Sequence, residues 1–137
     1  MAAKITKVAY YYVSLRAEPE EGYRLLARLA GAGVNLLAFS AIPMGPEFTQ
    51  LVLFPQDSDL LLTVARELDV PLTGPDHALL IQGDDELGAL ARIHQQLAAA
   101  GVSVYASSGV SDGMGGFGYV LYVRSDEIDK AASALEL

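Results

Sequence analysis

Two histidines and a few clustered carboxylates are the residues of this chain that could do acid-base or metal chemistry. His77 and His94 match neither a His-x-x-x-His nor a Glu-x-x-His spacing, and the chain has no cysteine, so no metal site is predicted. Asp84 and Asp85 are adjacent, and a helix would point them about 100° apart. Ser108 precedes a glycine without the Gly-x-Ser-x-Gly elbow of a nucleophile. No active site is indicated, and we predict that the protein is not an enzyme.

The charge balance disfavours two classes of partner. Nine Lys and Arg stand against 17 Asp and Glu, a net charge of −8, and the basic residues form no run. Such a chain repels a phosphate backbone, so we predict neither nucleic-acid binding nor membrane binding. No apolar run reaches the roughly 18 residues of a spanning helix, and the N-terminus shows no signal-peptide pattern. We expect a cytoplasmic protein.

The glycine-rich stretch DGMGGFG at 112–118 superficially resembles a phosphate-binding loop. Phosphate-binding loops join a strand to a helix, whereas here a strand-like segment follows. The pattern favours a flexible or bulged hairpin, with contact to a ligand or partner as the alternative. No cofactor is predicted.

The order of predicted elements repeats along the chain. Strand KVAYYYVSL is followed by a helix from Pro19 to near Gly33, a hairpin of two strands, and a helix capped by Asp57 or Ser58. HALLIQ then starts a second strand, helix, strand, strand, helix series. Its first helix is predicted from Asp85 to about Gly101, and its last helix is predicted to be capped by Ser125. AGAGVNLLAF at 30–39 and AAAGVSVYAS at 98–107 are the clearest matching stretches.

This repetition predicts an α+β fold of two ferredoxin-like βαββαβ repeats, residues 1–74 and 75–137. The second repeat is expected to lack its last strand, and Gly74-Pro75-Asp76 is the expected junction. One copy buries too little apolar surface to be secure alone, so the copies should pack as one unit.

The same residues carry a family resemblance. Residues 85–88 and 100–102 in the second half, and 17–20 and 32–35 in the first, resemble the acidic-x-Pro-Gly and Ala-Gly-aliphatic-Asn segments of the ACT domain. ACT domains are small ferredoxin-like modules of amino-acid metabolism that bind small effectors. Leu87 stands where that family has proline, and Ser103 where it has asparagine. The first copy keeps Pro19 but lacks the acidic residue and the glycine.

The resemblance implies a ligand site, because ACT ligands often lie between the loop of one module and the strand start of its neighbour. Carried over, the loop of Asp84, Asp85, Glu86, Leu87 and Gly88 faces Asn35 and forms the dominant site. Pro19 and Glu20 pair with Ser103 in a weaker one. A loop entering a helix offers backbone N–H groups to a carboxylate, and an asparagine amide can both donate and accept.

Structural explanations remain open for several of these residues. Asp85 and Glu86 could simply be acidic residues that favour a helix N-terminus, and Asn35 could cap local backbone. Gly88 is harder to explain in this way, because glycine within a first helical turn costs about 0.5 to 1 kcal/mol relative to alanine.

The resemblance implies a regulatory protein without catalytic activity that binds a small-molecule effector, an amino acid in the first instance, and forms a homo-oligomer such as a dimer. One alternative is a structural or assembly module that dimerises and whose ligand loops are degenerate. The other is a small ferredoxin-like enzyme, because this fold hosts many chemistries.

Overall fold

A computed structural model describes residues 3–136 and contains six strands and four α-helices. The strands are β1 (Lys4–Arg16), β2 (Leu36–Pro43), β3 (Phe48–Pro55), β4 (Thr73–Asp84), β5 (Val104–Ser111) and β6 (Gly116–Val123). The helices are α1 (Glu21–Gly31), α2 (Ser58–Glu67), α3 (Ala89–Ala99) and α4 (Ile128–Leu135), with a 3-10 turn at Ser125–Glu127. The predicted order of strands and helices is confirmed. No helix within 3–136 is long and apolar enough to cross a membrane.

The chain divides into two compact units. The first unit is Ala9–Asp76, and the second comprises His77 onwards together with the segment up to Val8. Strand order is β2-β3-β1 in the first unit and β4-β6-β5 in the second, and the β2-β3, β1-β3, β4-β6 and β5-β6 pairs are antiparallel.

This division differs from a simple cut after residue 74, because the first residues of β1 belong to the second unit. Ile5 packs against the second unit's core, and a Cβ added to Gly83 would lie 3.3 Å from the Cα of Ala3. No strand follows α4 among the described residues. The fourth strand of the second unit therefore comes from the start of β1. The predicted junction at residues 74–76 lies in the first part of β4.

Each unit has a core formed by the apolar stripes of its helices and one face of its sheet. Leu29 in the first unit and Leu97 in the second are each 1% exposed, and they are the pair that the sequence repeat aligns. The aligned pair Val34 and Val102 is likewise buried. Burying one leucine side chain contributes roughly 1.5 to 3 kcal/mol, so these positions hold α1 and α3 on their sheets.

The matching stretches at 30–39 and 98–107 close α1 and α3 in the same way. Gly33 and Gly101 have φ values of +84° and +75°, a left-handed conformation that glycine adopts most easily. The next residue then donates a backbone hydrogen bond back to the core leucine: Val34 N–H to Leu29 O and Val102 N–H to Leu97 O, both 2.9 Å. The matching sequence stretches thus encode the same helix C-terminus in both units.

Three helix starts differ from the prediction. α1 begins at Glu21 rather than Pro19, with Glu20 as its N-cap. α3 begins at Ala89 rather than Asp85, because Gly88 has φ +83° and is not helical. The 3-10 turn precedes α4, and Ser125 makes no capping hydrogen bond, so the predicted Ser125 cap is wrong. The predicted cap of α2 is confirmed, since Asp57 Oδ1 accepts a hydrogen bond from Leu60 N–H at 3.2 Å.

Residues 112–115 of the glycine-rich stretch form the turn of the β5-β6 hairpin, as predicted, and residues 116–118 begin β6. Asp112 organises this turn: its Oδ1 accepts hydrogen bonds from Met114 N–H at 2.7 Å and Gly116 N–H at 3.0 Å. These two N–H groups, that of Met114 first, lower the pKa of the Asp112 carboxyl below its ordinary value. Gly113 and Gly115 supply the positive φ angles that the turn needs.

Replacing Gly74 by alanine should destabilise the first unit. The new Cβ would lie 2.9 Å from both the Tyr10 carbonyl oxygen and the Tyr11 ring, at a φ of +136°. We expect a loss of about 2 kcal/mol or more, because a backbone oxygen and a buried ring cannot move aside easily. Urea unfolding measures this loss. Gly31→Ala is the control, since its Cβ meets nothing within 4 Å and should be neutral or slightly stabilising. Equal midpoints for Gly74→Ala and the unmodified protein would contradict the geometry.

The hairpin should loosen in acid. Because the folded-state pKa of Asp112 is lowered, its stabilisation is complete above the ordinary aspartate pKa and is lost as pH falls through the folded-state pKa. Amide chemical shifts of Met114 and Gly116 between about pH 5 and about pH 2 should report that step. In Asp112→Asn, which keeps a carbonyl acceptor without the charge, the step should vanish. A pKa of the Asp112 carboxyl at or above the ordinary aspartate value would contradict this prediction.

Candidate functional site

The second unit has a cavity of about 560 Å³ between its first loop and its outermost strand. The loop side is formed by residues 85–88 and the first turn of α3 through Ala91. The facing wall is formed by residues 109–111 of β5 and by Phe117. Asp85, Glu86, Leu87 and Gly88, four of the residues predicted to bind ligand, therefore line one cavity.

Asp85 connects the loop at 85–88 to the β5-β6 hairpin through two hydrogen bonds. Its backbone N–H donates to Gly115 O at 2.9 Å, and its Oδ2 accepts a hydrogen bond from the Ser111 hydroxyl at 2.9 Å. Ser111 Oγ in turn accepts a hydrogen bond from Gly113 N–H at 3.2 Å. The Asp85 carboxylate thus fixes the distance between the two walls of the cavity.

The rest of the loop is shaped by Gly88 and by an ion pair. Gly88 adopts the left-handed conformation at the N-cap of α3, and a Cβ there would meet only the Arg92 guanidinium, at 3.8 Å. Glycine is required here by its φ angle rather than by crowding. Arg92 donates to Glu86 at 2.9 Å, and both side chains are about half exposed, so the pair adds little stability. Leu87 is fully exposed at the loop tip.

The first unit has a cavity at the equivalent place, of about 430 Å³. It is lined by residues 15–19, by Gly22 and Tyr23 of α1, and by Ala41 and Thr49 of the facing strands. Ala17 aligns with Asp85 in the repeat, and its N–H donates to Glu47 O at 2.8 Å, as Asp85 N–H does to Gly115 O. Both copies thus have a cavity between the same loop and the same strand.

The other predicted residues lie elsewhere. Asn35 donates from Nδ2 to Gln56 Oε1 at 3.1 Å, and Ser103 is exposed just before β5. Both precede the second strand of their own unit, at the end of the sheet opposite the loop, because the helix runs back along the sheet between them. Asp84 is the exposed last residue of β4, and Glu20 pairs with Arg24 at 3.4 Å.

The predicted combinations join residues of different units: the 84–88 loop with Asn35, and Pro19 with Ser103. They stay predictions. Within its own unit, Pro19 lines the first cavity together with Glu18.

Sequence reasoning missed the strand wall of the second cavity. Gly109 carried the available signal, because a glycine inside a strand often marks a close approach. A Cβ at Gly109 would lie 2.9 Å from the Tyr119 ring. Tyr119 also hydrogen-bonds His94. No group of three or more metal-ligating side chains occurs in the described part of the chain.

Comparison with solved structures identifies the fold. A protein from Bacteroides thetaiotaomicron matches with a TM-score of 0.80 at 19% identity, over 98% of this chain and 88% of that one. The regulatory subunit of aspartate kinase from Thermus thermophilus matches with a TM-score of 0.67 at 11% identity, over 98% and 94%. The corresponding subunit from Thermus flavus gives 0.63 at 13% identity, over 98% and 94%.

Two sequence-based comparisons found nothing: no protein-family profile and no curated protein matches the chain. The structural likeness nevertheless confirms the predicted fold. The chain folds as ACT domains do, in two ferredoxin-like repeats.

Proposed function

We propose that this chain is a regulatory protein that binds a small-molecule effector, an amino acid being the class that fits best, and that it catalyses no reaction itself. The observation that carries the proposal is the recurrence of one cavity at equivalent positions of both units. Two of the similar structures are regulatory subunits of aspartate kinases, which supports a regulatory role.

The second cavity has the chemistry for such a ligand. The N–H of Ala89 donates to Glu86 O at 3.1 Å, whereas those of Leu90 and Ala91 have no partner one turn earlier within α3 and lie at the positive end of the helix dipole, where a carboxylate is stabilised. Leu90 and Phe117 provide apolar surface in the same cavity for an aliphatic side chain. Asp85 is held by Ser111, so in this proposal it positions the loop, and the backbone contacts the ligand.

Regulation would work by population shift. A ligand changes an equilibrium between two arrangements only by the difference in its affinity for them. In this proposal the effector binds at the 84–88 loop and favours the arrangement of that unit for which it has the higher affinity. In the same proposal the loop of Pro19 and Glu20 forms a weaker second site.

An assembly role is the second candidate, and the outer strands favour it. β2 and β5 are the end strands of the sheet order, and each has a backbone edge that pairs with no other strand of 3–136. Leu37, Phe39 and Ile42 on β2, and Tyr105 and Val110 on β5, are all at least 42% exposed. Such edges invite pairing with another chain, and a homodimer is the simplest product.

Thermal unfolding in the presence of each of the twenty amino acids tests the effector proposal. A ligand at 100 times its dissociation constant should raise the free energy of unfolding by about 2.7 kcal/mol. Calorimetric titration should then find one dominant site per chain.

A pair of variants makes this test specific. Ala91→Tyr introduces into the second cavity the tyrosine that the first unit has at the aligned position 23. The larger side chain should fill part of the cavity and abolish the stabilisation by the amino acid. Ala98→Tyr makes the same exchange on an exposed part of α3 outside the cavity and should preserve it. No response to any amino acid would favour the assembly role, and two equal independent sites would contradict the dominant-site arrangement.

The tether between Asp85 and Ser111 should contribute measurably to stability. A double-mutant cycle of Asp85→Ala and Ser111→Ala should give a coupling of about 0.5 to 1.5 kcal/mol, the usual net contribution of one hydrogen bond. Urea unfolding of the four proteins provides the coupling. If the losses of unfolding free energy in the two single variants add up to the loss in the double variant, the hydrogen bond does not hold the loop.

A further inference from the structure

The second unit has another cavity, of about 720 Å³, on the helix side of its sheet. Gln96 of α3 borders it on one side, and Ile5 of β1 and Leu135 of α4 border it on the other. Ile81 of β4 forms part of its floor. All of its described lining residues belong to the second unit, and none of them belongs to the loop at 85–88.

The first unit has a much smaller cavity at the equivalent place, of about 160 Å³. Leu25 and Arg28 of α1 line the smaller cavity. They align in the repeat with Ile93 and Gln96, which line the larger one. Val70 also lines the smaller cavity, from the connection that follows α2. A branched aliphatic side chain on a connecting segment thus helps to close this place in the first unit.

The connection after α2 is held by its backbone and by its side chains. Val70 N–H donates to Ala65 O at 2.8 Å. Leu68, Val70 and Leu72 are partly buried against the core of the first unit. The apolar stripes of α2 and α4 align Leu135 with Leu68, so the position that corresponds to Val70 lies outside the described residues. The described part of the second unit therefore supplies no counterpart of Val70.

A difference in the sheet enlarges the cavity further. Leu15 lines the smaller cavity, and the aligned residue in the second unit is Gly83. A Cβ added to Gly83 would lie 3.3 Å from the Cβ of Ala3 and 3.3 Å from Cε1 of Phe117, two residues that line the larger cavity. The volume of a leucine side chain is therefore missing next to these two residues.

The lining of the larger cavity favours a neutral and mainly aliphatic ligand. The aliphatic residues larger than alanine among its lining are Ile5, Ile81, Ile93 and Leu135. Arg92 also lines it, but its guanidinium donates to Glu86 at 2.9 Å, so this charge is already paired. Glu136 adds negative charge, which disfavours an anion. The side-chain amides of Gln95 and Gln96 can both donate and accept hydrogen bonds.

From these features we infer that this cavity binds a short neutral peptide segment with branched aliphatic side chains, as the first unit packs its own residues 70–72. The side chains take the place of Val70 and of the missing leucine, and the glutamine amides pair with the peptide groups. A volume of this size lies within the usual range of ligand pockets, about 300 to 1,000 Å³. The inference goes beyond the effector proposal, because a neutral peptide needs neither the carboxylate site at the start of α3 nor the loop before it.

Nuclear magnetic resonance titration with acetyl-Val-Pro-Leu-amide, which has the sequence of residues 70–72, tests the inference. Amide signals of Ile5, Gln95 and Gln96 should shift, whereas those of residues 109–111 in the wall of the effector cavity should not. Acetyl-Ser-Pro-Ser-amide has the same backbone without the aliphatic groups. It should bind at least about tenfold more weakly, because it buries less apolar surface.

Two variants that fill the cavity complete the test. Gln96→Trp introduces a ring beside it, and Gly83→Leu restores the side chain that the first unit has at the aligned position 15. Each should weaken binding of acetyl-Val-Pro-Leu-amide by about tenfold or more. Ala98→Trp introduces the same ring on an exposed part of α3 outside the cavity and should leave binding unchanged. Circular dichroism checks the fold of each variant, and if one does not fold the other decides.

Equal binding of the two peptides, or unchanged binding in the folded cavity-filling variants, would overturn the inference. The absence of any shift with acetyl-Val-Pro-Leu-amide, or shifts confined to residues 109–111, would overturn it as well. A response to amino acids without a response to the peptide would refute this inference alone. A response to the peptide without any response to amino acids would uphold it while refuting the amino-acid effector.

Discussion

The rest of each unit depends on one buried leucine in its first helix, which is α1 in the first unit and α3 in the second. Leu29 and Leu97 anchor α1 and α3 to their sheets, and the hydrogen bond back to each leucine carbonyl stops the helix at a glycine. Because α1 and α3 are held on their sheets, the position of the first residue of each helix is fixed as well. The preceding loop must then cross from the end of a strand to that start, and the space beneath this crossing is the cavity. The cavity is thus a consequence of packing and recurs wherever the packing is repeated.

The copies keep the packing and differ in the residues that face the cavity. Asp85 is tethered through its side chain to Ser111, whereas Ala17 can use only its backbone. Tyr23 occupies the position of Ala91, and the first cavity is the smaller of the two. Core pairs such as Val34 and Val102 remain identical because both must be apolar and of similar volume. Cavity residues carry no such packing constraint, and at these positions the two copies can acquire different ligands.

Much of this fold could be predicted from the sequence because its signals are local. Apolar periodicity predicted the helices, glycines predicted their ends, and the aligned stretches predicted the repeat. The origin of the second unit's fourth strand could not be predicted, since it comes from residues 4–8 at the opposite end of the sequence. The strand that forms the facing wall of the cavity could not be predicted for the same reason. Ser111 and Asp85 are distant in the sequence, and only folding brings them into hydrogen-bond contact. The start of α3 was placed too early because acidic residues suit both a helix start and the loop before it.

Gly88 shows how a motif residue can be explained twice. A family motif places glycine in this loop for the approach of a ligand, and the backbone here needs glycine for a φ of +83° whether or not a ligand binds. The first copy has Glu20 at the aligned position, the N-cap of α1, where φ is −99° and the backbone is right-handed. The two loops therefore enter their helices by different backbone paths and present different N–H groups to their cavities.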